Sequence, residues 1–260
     1  MFIEKNENNL TYMKSPNIAC AHAFTTRFGG VSGGIYSSLN LGQSLGDDIV
    51  NVKENYNILC NSIGISVDDL IRSKQVHGTD IRIVTENDRG KLFTNDLPAA
   101  DGLITNKKTV ALIIYTADCV PILLHDPVKS VICAVHAGWR GTAANIAGNA
   151  INKMKEFFDC VPDNIKAAIG PCISKCCFET DNDVSDALRN TLGISADSCI
   201  EVYNNKFRVD LKEANKILLS SVGVKDINIS DECTCCLSSK YWSHRRSNTK
   251  RGSQASIITL

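Results

Sequence analysis

The segment Val110–Thr142, VALIIYTADCVPILLHDPVKSVICAVHAGWRGT, restricts this chain more than any other. Two apolar runs flank Asp126-Pro127-Val128-Lys129. Cys119 heads the first run, His136 ends the second, and Gly138 and Gly141 lead out toward a helix. Folded as a two-residue hairpin with Asp126 opposite Lys129, the segment places Cys119 directly across from His136. Opposed side chains on one face of an antiparallel pair lie about 4.5–5.5 Å apart, close enough to share one metal ion. Two such donors call for a third. The register carries the reading, because a slip of one residue turns one of the two side chains to the other face.

The 260 residues are 43% hydrophobic and 22% charged, enough apolar material for a substantial core. Lys plus Arg and Asp plus Glu each number 28, so no global field favours a polyanion, and nucleic acid is not an expected partner. The N-terminal MFIEKNENNLTYMKS is too polar for a secretory signal, and no apolar run is long enough to span a bilayer. A soluble cytoplasmic protein without a membrane partner is the expectation. The 12 cysteines are then read as thiols rather than as a disulfide scaffold. No repeat, low-complexity tract or linker divides the chain, which favours one domain over 1–260.

A strand is expected over 18–28, before the glycine-rich loop Phe28–Gly34, with Arg27 at its mouth. The planar fork of Arg27 suits an anion such as phosphate, and a solvated surface arginine is the alternative. Asn40, in SSLNLG, is read as stabilising its own turn. Helical spacing covers Asp47–Ile63, ending near Gly64. His77 precedes an alternating strand around Ile81 and Ile83, and it is the candidate third donor. Asp101-Gly102 reads as a turn before the strand Leu103–Thr105. A helix beginning near Thr142 would offer free N–H groups to an anion close to His136. Further helices are expected over 181–192 and beyond Asp210, with strands at VKDINIS and Gln254–Thr259. The clusters Cys172, Cys176, Cys177 and Cys233, Cys235, Cys236 meet metal-ligand spacing. Nothing in the sequence brings them together, so buried thiols are the preferred reading.

One cysteine and two histidines make an N₂S donor set suited to zinc, with a fourth position left for water or substrate. Asp118, beside Cys119, is a candidate proton shuttle if the backbone bulges there. The same donors form the basal set of a blue-copper site, but five histidines are too few for that site plus a trinuclear cluster, so zinc ranks above copper. The His-x-Glu and Pro-Cys-x-x-Cys signature of zinc cytidine deaminases is absent. A thiol hydrolase with Cys119 as nucleophile and His136 as base, and a non-catalytic binding module, remain open.

The segments TTRFGGVS, LNLG, QVHG, ADGLIT, TADCVPILL, AVHAGWRGT, IGPCI, CT and SHRR, in this order, resemble the YfiH family, named for its laccase or polyphenol-oxidase domain. The resemblance spans nearly the whole chain. It implies a single α+β domain of mixed sheets flanked by helices, and zinc held by His77, Cys119 and His136. It also implies phosphorolysis of adenosine, inosine and 5′-methylthioadenosine to base and sugar 1-phosphate, together with adenosine deamination. Phosphate would then sit among Arg27, the start of the helix at Gly141-Thr142 and Arg140 or Arg246, with Asn40 adding a hydrogen bond. Purine nucleosides and phosphate are the implied partners, and a monomer or weak homodimer the expected state. The family's oxidase label and a cell-wall precursor hydrolase stand as further alternatives.

Overall fold

A computed structural model describes residues Met1–Leu260. The chain begins with strands β1 (Ile3–Glu7), β2 (Leu10–Lys14) and β3 (Ala21–Thr25). Asn8 and Asn9, both at positive φ, turn β1 into β2 as a two-residue hairpin, a signal that the sequence reading passed over. Helix α1 (Ile49–Ile63) starts where the Asp48 side chain accepts from the Val50 N–H and stops at left-handed Gly64. Strands β4 (Leu70–Ile71), β5 (Ile81–Ile83), β6 (Gly102–Thr105), β7 (Ala111–Thr116), β8 (Val120–Asp126) and β9 (Val131–Ala137) follow. Next come helices α2 (Trp139–Ala143) and α3 (Ile146–Phe158) and strand β10 (Lys166–Ile169). The rest alternates: β11 (Glu179–Thr180), α4 (Asn182–Leu192), β12 (Ile200–Tyr203), β13 (Lys206–Val209), α5 (Leu211–Ser221), β14 (Asp226–Ile229), α6 (His244–Ser247) and β15 (Gln254–Thr259).

Two six-stranded sheets result, in the orders β1-β2-β3-β15-β7-β4 and β14-β10-β8-β9-β6-β5, with a small third sheet β11-β13-β12. Side-chain alternation explains how they stack. Along β7, Leu112 and Ile114 face the second sheet, while Ala111 and Ile113 pack with Val52, Tyr56 and Leu59 of α1. Along β9, Ile132 and Ala134 face the first sheet, whereas Val131, Cys133 and Val135 meet Ile151 and Met154 of α3 and Leu218 of α5. The layers therefore run helix, sheet, sheet, helix, an α+β architecture of mixed sheets flanked by helices.

The β8–β9 hairpin differs from the expected register. Asp126 pairs with Val131 and Pro121 with His136, so Pro127–Ser130 forms a four-residue loop. The Asp126 carboxylate accepts from the N–H groups of both Val128 and Lys129, and Ser130 takes a positive φ. Loops of this length are commonly built around a type I turn, which suits Asp-Pro better than the primed two-residue turns do. Cys119 is thus diagonal to His136 rather than opposite. The displacement is two residues, an even number, so both side chains stay on the face toward the first sheet.

The helix expected from Thr142 is also corrected. It breaks at left-handed Asn145, and Thr142 lies buried in α2 with its hydroxyl accepting from the Asn215 side chain of α5. Leu123 is fully buried in the layer between the two large sheets. Leu123→Ala is expected to cost about 2–5 kcal/mol, read as a lower urea midpoint at unchanged slope.

Candidate active site

Cys119 lies where the chain leaves the first sheet at the end of β7 and enters the second at β8. Asp118 makes that turn with φ +89°, the backbone departure its neighbour requires. His136 ends β9, and His77 sits in the loop between β4 and β5. Ligating atoms of His77, Cys119 and His136 lie within 4.8 Å of one another, and the two imidazoles meet edge to face with centroids 4.9 Å apart. Gly138 makes the approach possible, since a Cβ there would stand 2.9 Å from His77 Cδ2 and 3.5 Å from Cys119 Sγ.

The residue that organises this triad does not stand out in the sequence. Asp101, 1% exposed, accepts hydrogen bonds from the backbone N–H groups of Val76 (3.1 Å), His77 (3.0 Å) and Gly78 (2.7 Å). Left-handed His77, at φ +59°, turns these successive N–H groups toward one acceptor. The same carboxylate lies 2.8 Å from His136 Nδ1. An ionised carboxylate only accepts, so Nδ1 carries the proton and the Nε2 lone pair is left free for a ligand or a proton. Asp101-Gly102 was legible only as a turn. Its role follows from β6 pairing antiparallel with β9, Gly102 against Val135, which brings Asp101 beside His136.

Burial pushes the Cys119 thiol up, but the neighbouring His136 and His77 outweigh it and bring the group down to about 6. Burial pushes the His136 imidazolium down, and the charge of Cys119 with the Asp101 hydrogen bond raises it to about 9. The metal-free site thus favours a thiolate beside an imidazolium. Burial also works against the Asp101 carboxylate, yet His136 and the Gly78 and Val76 N–H groups hold it below the usual range.

The three residues open into a cavity of about 460 Å³, within the range that holds a small organic ligand. Tyr115, Ile173, Phe178 and Leu211 give it apolar walls, and Arg140, Arg251 and His244 reach it with cationic or titratable ends. Arg251 donates through one terminal nitrogen to Gly252 O and Ser253 Oγ, while its Nε is buried without a partner in the chain. The Thr116 hydroxyl is likewise buried and unpartnered. Gln254 pairs with Thr116 across β15 and β7, which is how the segment around Arg251 comes alongside Cys119.

Of the other candidates, Arg140 lines the cavity and stacks on Trp139 at 4.2 Å. Asp118 also lines it, but its carboxylate accepts from Thr234 Oγ1 (2.6 Å), Ser243 Oγ (3.0 Å) and the Arg245 N–H (2.7 Å), and so holds α6 against the site. Arg27 is outside: its fork donates to Ser37 O and Ser238 O, and its plane covers Trp242 at 3.8 Å. Asn40, fully buried, bonds Gly42, Asp47 and Ser253. Arg246 donates to Cys235 O. These three have donors committed to the fold and do not line the cavity. Besides Arg140, the cavity is lined by His244, Arg245 and Arg251 of the basic run before β15, where residue type alone does not rank one side chain over another.

The family model described as multi-copper polyphenol oxidoreductase laccase matches residues 21–260. The chain is 36% identical over 249 residues to the purine nucleoside phosphorylase YlmD of Geobacillus stearothermophilus, covering 94% of this chain and 91% of that one. It is 32% identical to an adenosine deaminase from an unknown prokaryotic organism, over 88% of this chain and 90% of the other. The crystal structure of the Geobacillus stearothermophilus YlmD superposes with a TM-score of 0.93 at 35% identity, covering 100% of this chain and 99% of that chain. The YfiH protein of Bacillus licheniformis gives 0.93 at 33% identity, covering 99% and 98%. A match over nearly the whole length, in sequence and in fold alike, shows that the chain belongs to the multi-copper polyphenol oxidoreductase laccase family, the family of YfiH and YlmD.

Proposed function

We propose that the protein is a zinc-dependent purine nucleoside enzyme that phosphorolyses adenosine, inosine and 5′-methylthioadenosine and deaminates adenosine. The observation that carries this reading is the joint opening of His77, Cys119 and His136 into a nucleoside-sized cavity that Arg140 and Arg251 also line. The names of the relatives support the substrate class.

The donor set fits zinc: two imidazoles and a thiolate-favouring cysteine converge, and a buried carboxylate fixes the ring of one histidine. Bound there, zinc would supply Lewis-acid chemistry and a water nucleophile at neutral pH. The chain's own residues do the rest. Ile173, Phe178 and Tyr115 offer apolar surface for a purine, and Arg140 and Arg251 offset phosphate charge. The copper-oxidase chemistry of the family label lacks ligands here. His22 is held between Ser15 N and Cys20 O on β3, His125 lies on β8 outside the cavity, and only one His-containing cluster exists. The thiolate–imidazolium pair favours, as a second reading, a thiol hydrolase, which needs no metal. Metal analysis separates the two.

Incubation with adenosine, with and without phosphate, followed by mass spectrometry of the products tests the proposal. Adenine formed only with phosphate and inosine formed in both are expected, and neither product would overturn it. Arg251→Ala should weaken phosphate-dependent turnover about 10-fold or more while sparing deamination, since hydrogen bonds to charged groups contribute about 1.5–3 kcal/mol. Equal losses would remove Arg251 from the phosphate seat. Asp101→Asn, which sets an amide against converging N–H groups, should lower metal affinity about 10–100-fold in competition with a chromophoric chelator.

In chelator-treated protein the depressed thiol contributes stability above its unfolded value of 9.0 that is lost as pH falls through about 6. The raised imidazole contributes stability fully present below 6.5 that is lost as pH rises through about 9. Both charges therefore coexist, and support the fold, between about 6 and about 9. Alkylation of Cys119, followed by peptide mass spectrometry, should accordingly show a midpoint near pH 6, and a midpoint near the ordinary thiol value of 9.0 would disprove the pairing.

A further inference from the structure

The two cysteine clusters read from the sequence as separate buried thiols meet in space, away from His77, Cys119 and His136. Strands β10 and β14 lie parallel and in register, Ile169 beside Ile229, so the chain leaves both at the same end of the sheet. The pairing continues as a bridge between Cys172 and Cys233, with the Thr234 N–H donating to Cys172 O at 3.0 Å. Each branch then turns sharply: the Cys177 and Phe178 N–H groups close on Ser174 O, and the Leu237 N–H closes on Cys233 O. The two turns aim their sulfurs at one point. Cys176 Sγ is 3.5 Å and Cys177 Sγ 3.4 Å from Cys236 Sγ, and 3.8 Å separates Cys176 from Cys177. Cys233 completes the group, all four sulfurs falling within 4.8 Å of one another.

We infer that Cys176, Cys177, Cys233 and Cys236 form a second metal site, a tetrathiolate that takes zinc and ties the loop walling the substrate cavity, which carries Ile173 and Phe178, to the loop at Cys233–Leu237. Tetrahedral zinc with bonds to sulfur of about 2.3 Å requires sulfurs about 3.8 Å apart, close to the spacing present. A disulfide fits less well. It would use two members of a mutually close trio, at about 2.05 Å, and strand the third. Thiolate-only coordination selects soft or borderline ions, and Cys233-x-x-Cys236 is one half of a common zinc-binding pattern. The other half is an adjacent pair, whose sulfurs the turn at Ser174 brings to the same side.

The surroundings suit a group of net negative charge. The Ser174 N–H points at Cys233 Sγ at 3.4 Å. Arg245 donates to Cys177 O and Arg246 to Cys235 O, placing two guanidinium groups on the backbone of the cluster. Cys176 and Cys236 are exposed, which leaves an entry path for the ion. The loop of Cys176 and Cys177 carries Ile173 and Phe178 into the cavity wall, and the Ile173 N–H donates to Asp118 O at 3.0 Å. The second ion would therefore act on the cavity by holding its wall. The inference is independent of the proposed activity, because none of its four ligands belongs to the first site.

The test is metal stoichiometry by mass spectrometry on the full chain purified under reducing conditions. Two zinc ions per chain are expected, falling to one in His77→Ala and to one in a Cys176→Ser, Cys236→Ser double variant. Cobalt(II) loaded into His77→Ala should show the strong sulfur-to-metal absorption of a tetrathiolate, absent from the double variant. Because serine variants can misfold, the wild-type protein supplies a further measurement: Cys176 and Cys236 should resist iodoacetamide until a chelator is added. A single ion lost entirely in His77→Ala, free alkylation of Cys176 and Cys236 in untreated protein, or a disulfide among the four would each overturn the inference.

Discussion

One buried carboxylate holds the site together. Asp101 gathers three successive N–H groups from the loop of His77 and the ring N–H of His136, so a single group sets the position of one imidazole and the protonation of another. Without these donors a carboxylate with 1% exposure would carry a desolvation cost of several kcal/mol. The arrangement is reciprocal: the donors keep Asp101 ionised, and the ionised group keeps the loop closed. The loop is stitched on its other side by Gln75, whose amide exchanges two 2.8 Å hydrogen bonds with the Tyr115 backbone, as a neighbouring strand would. His77 is thereby tied both to β9 and to the strand that leads to Cys119.

Local chemistry was readable wherever a residue's role depended on its immediate neighbours. Asp210 caps the helix expected beyond it, Gly64 ends α1, whose start lies two residues past the expected Asp47, and β15 occupies the expected span Gln254–Thr259. The hairpin face survived an error in register because the error was even. Parity, not position, decides whether Cys119 and His136 share a side. The Asn-Asn turns at Asn8-Asn9 and Asn204-Asn205 carried as clear a signal and went unused.

What stayed hidden depends on pairings between distant strands. Asp101 reaches His136 only because β6 lies beside β9, and Arg251 approaches Cys119 only because β15 lies beside β7. Arg27 stood at a glycine-rich loop in sequence, yet its guanidinium is spent on Ser37, Ser238 and the face of Trp242. A cation's availability is set by which carbonyls lie within reach, and composition carries no record of that. The cysteine clusters follow the same rule, since their meeting follows from the parallel pairing of β10 with β14.

The turn at Ala117–Cys119 has a consequence for how the protein comes to be competent. It is one bridge by which the chain passes from one large sheet into the other; the loop of His77, between β4 of the first sheet and β5 of the second, is another, and His136 belongs to the second sheet. A chain in which either sheet is unformed, or in which the two have not stacked, has no place where sulfur and both imidazoles converge. The three donors thus act as an inspection point for the whole fold: an ion that needs all of them can be retained only by molecules whose two sheets are already joined face to face.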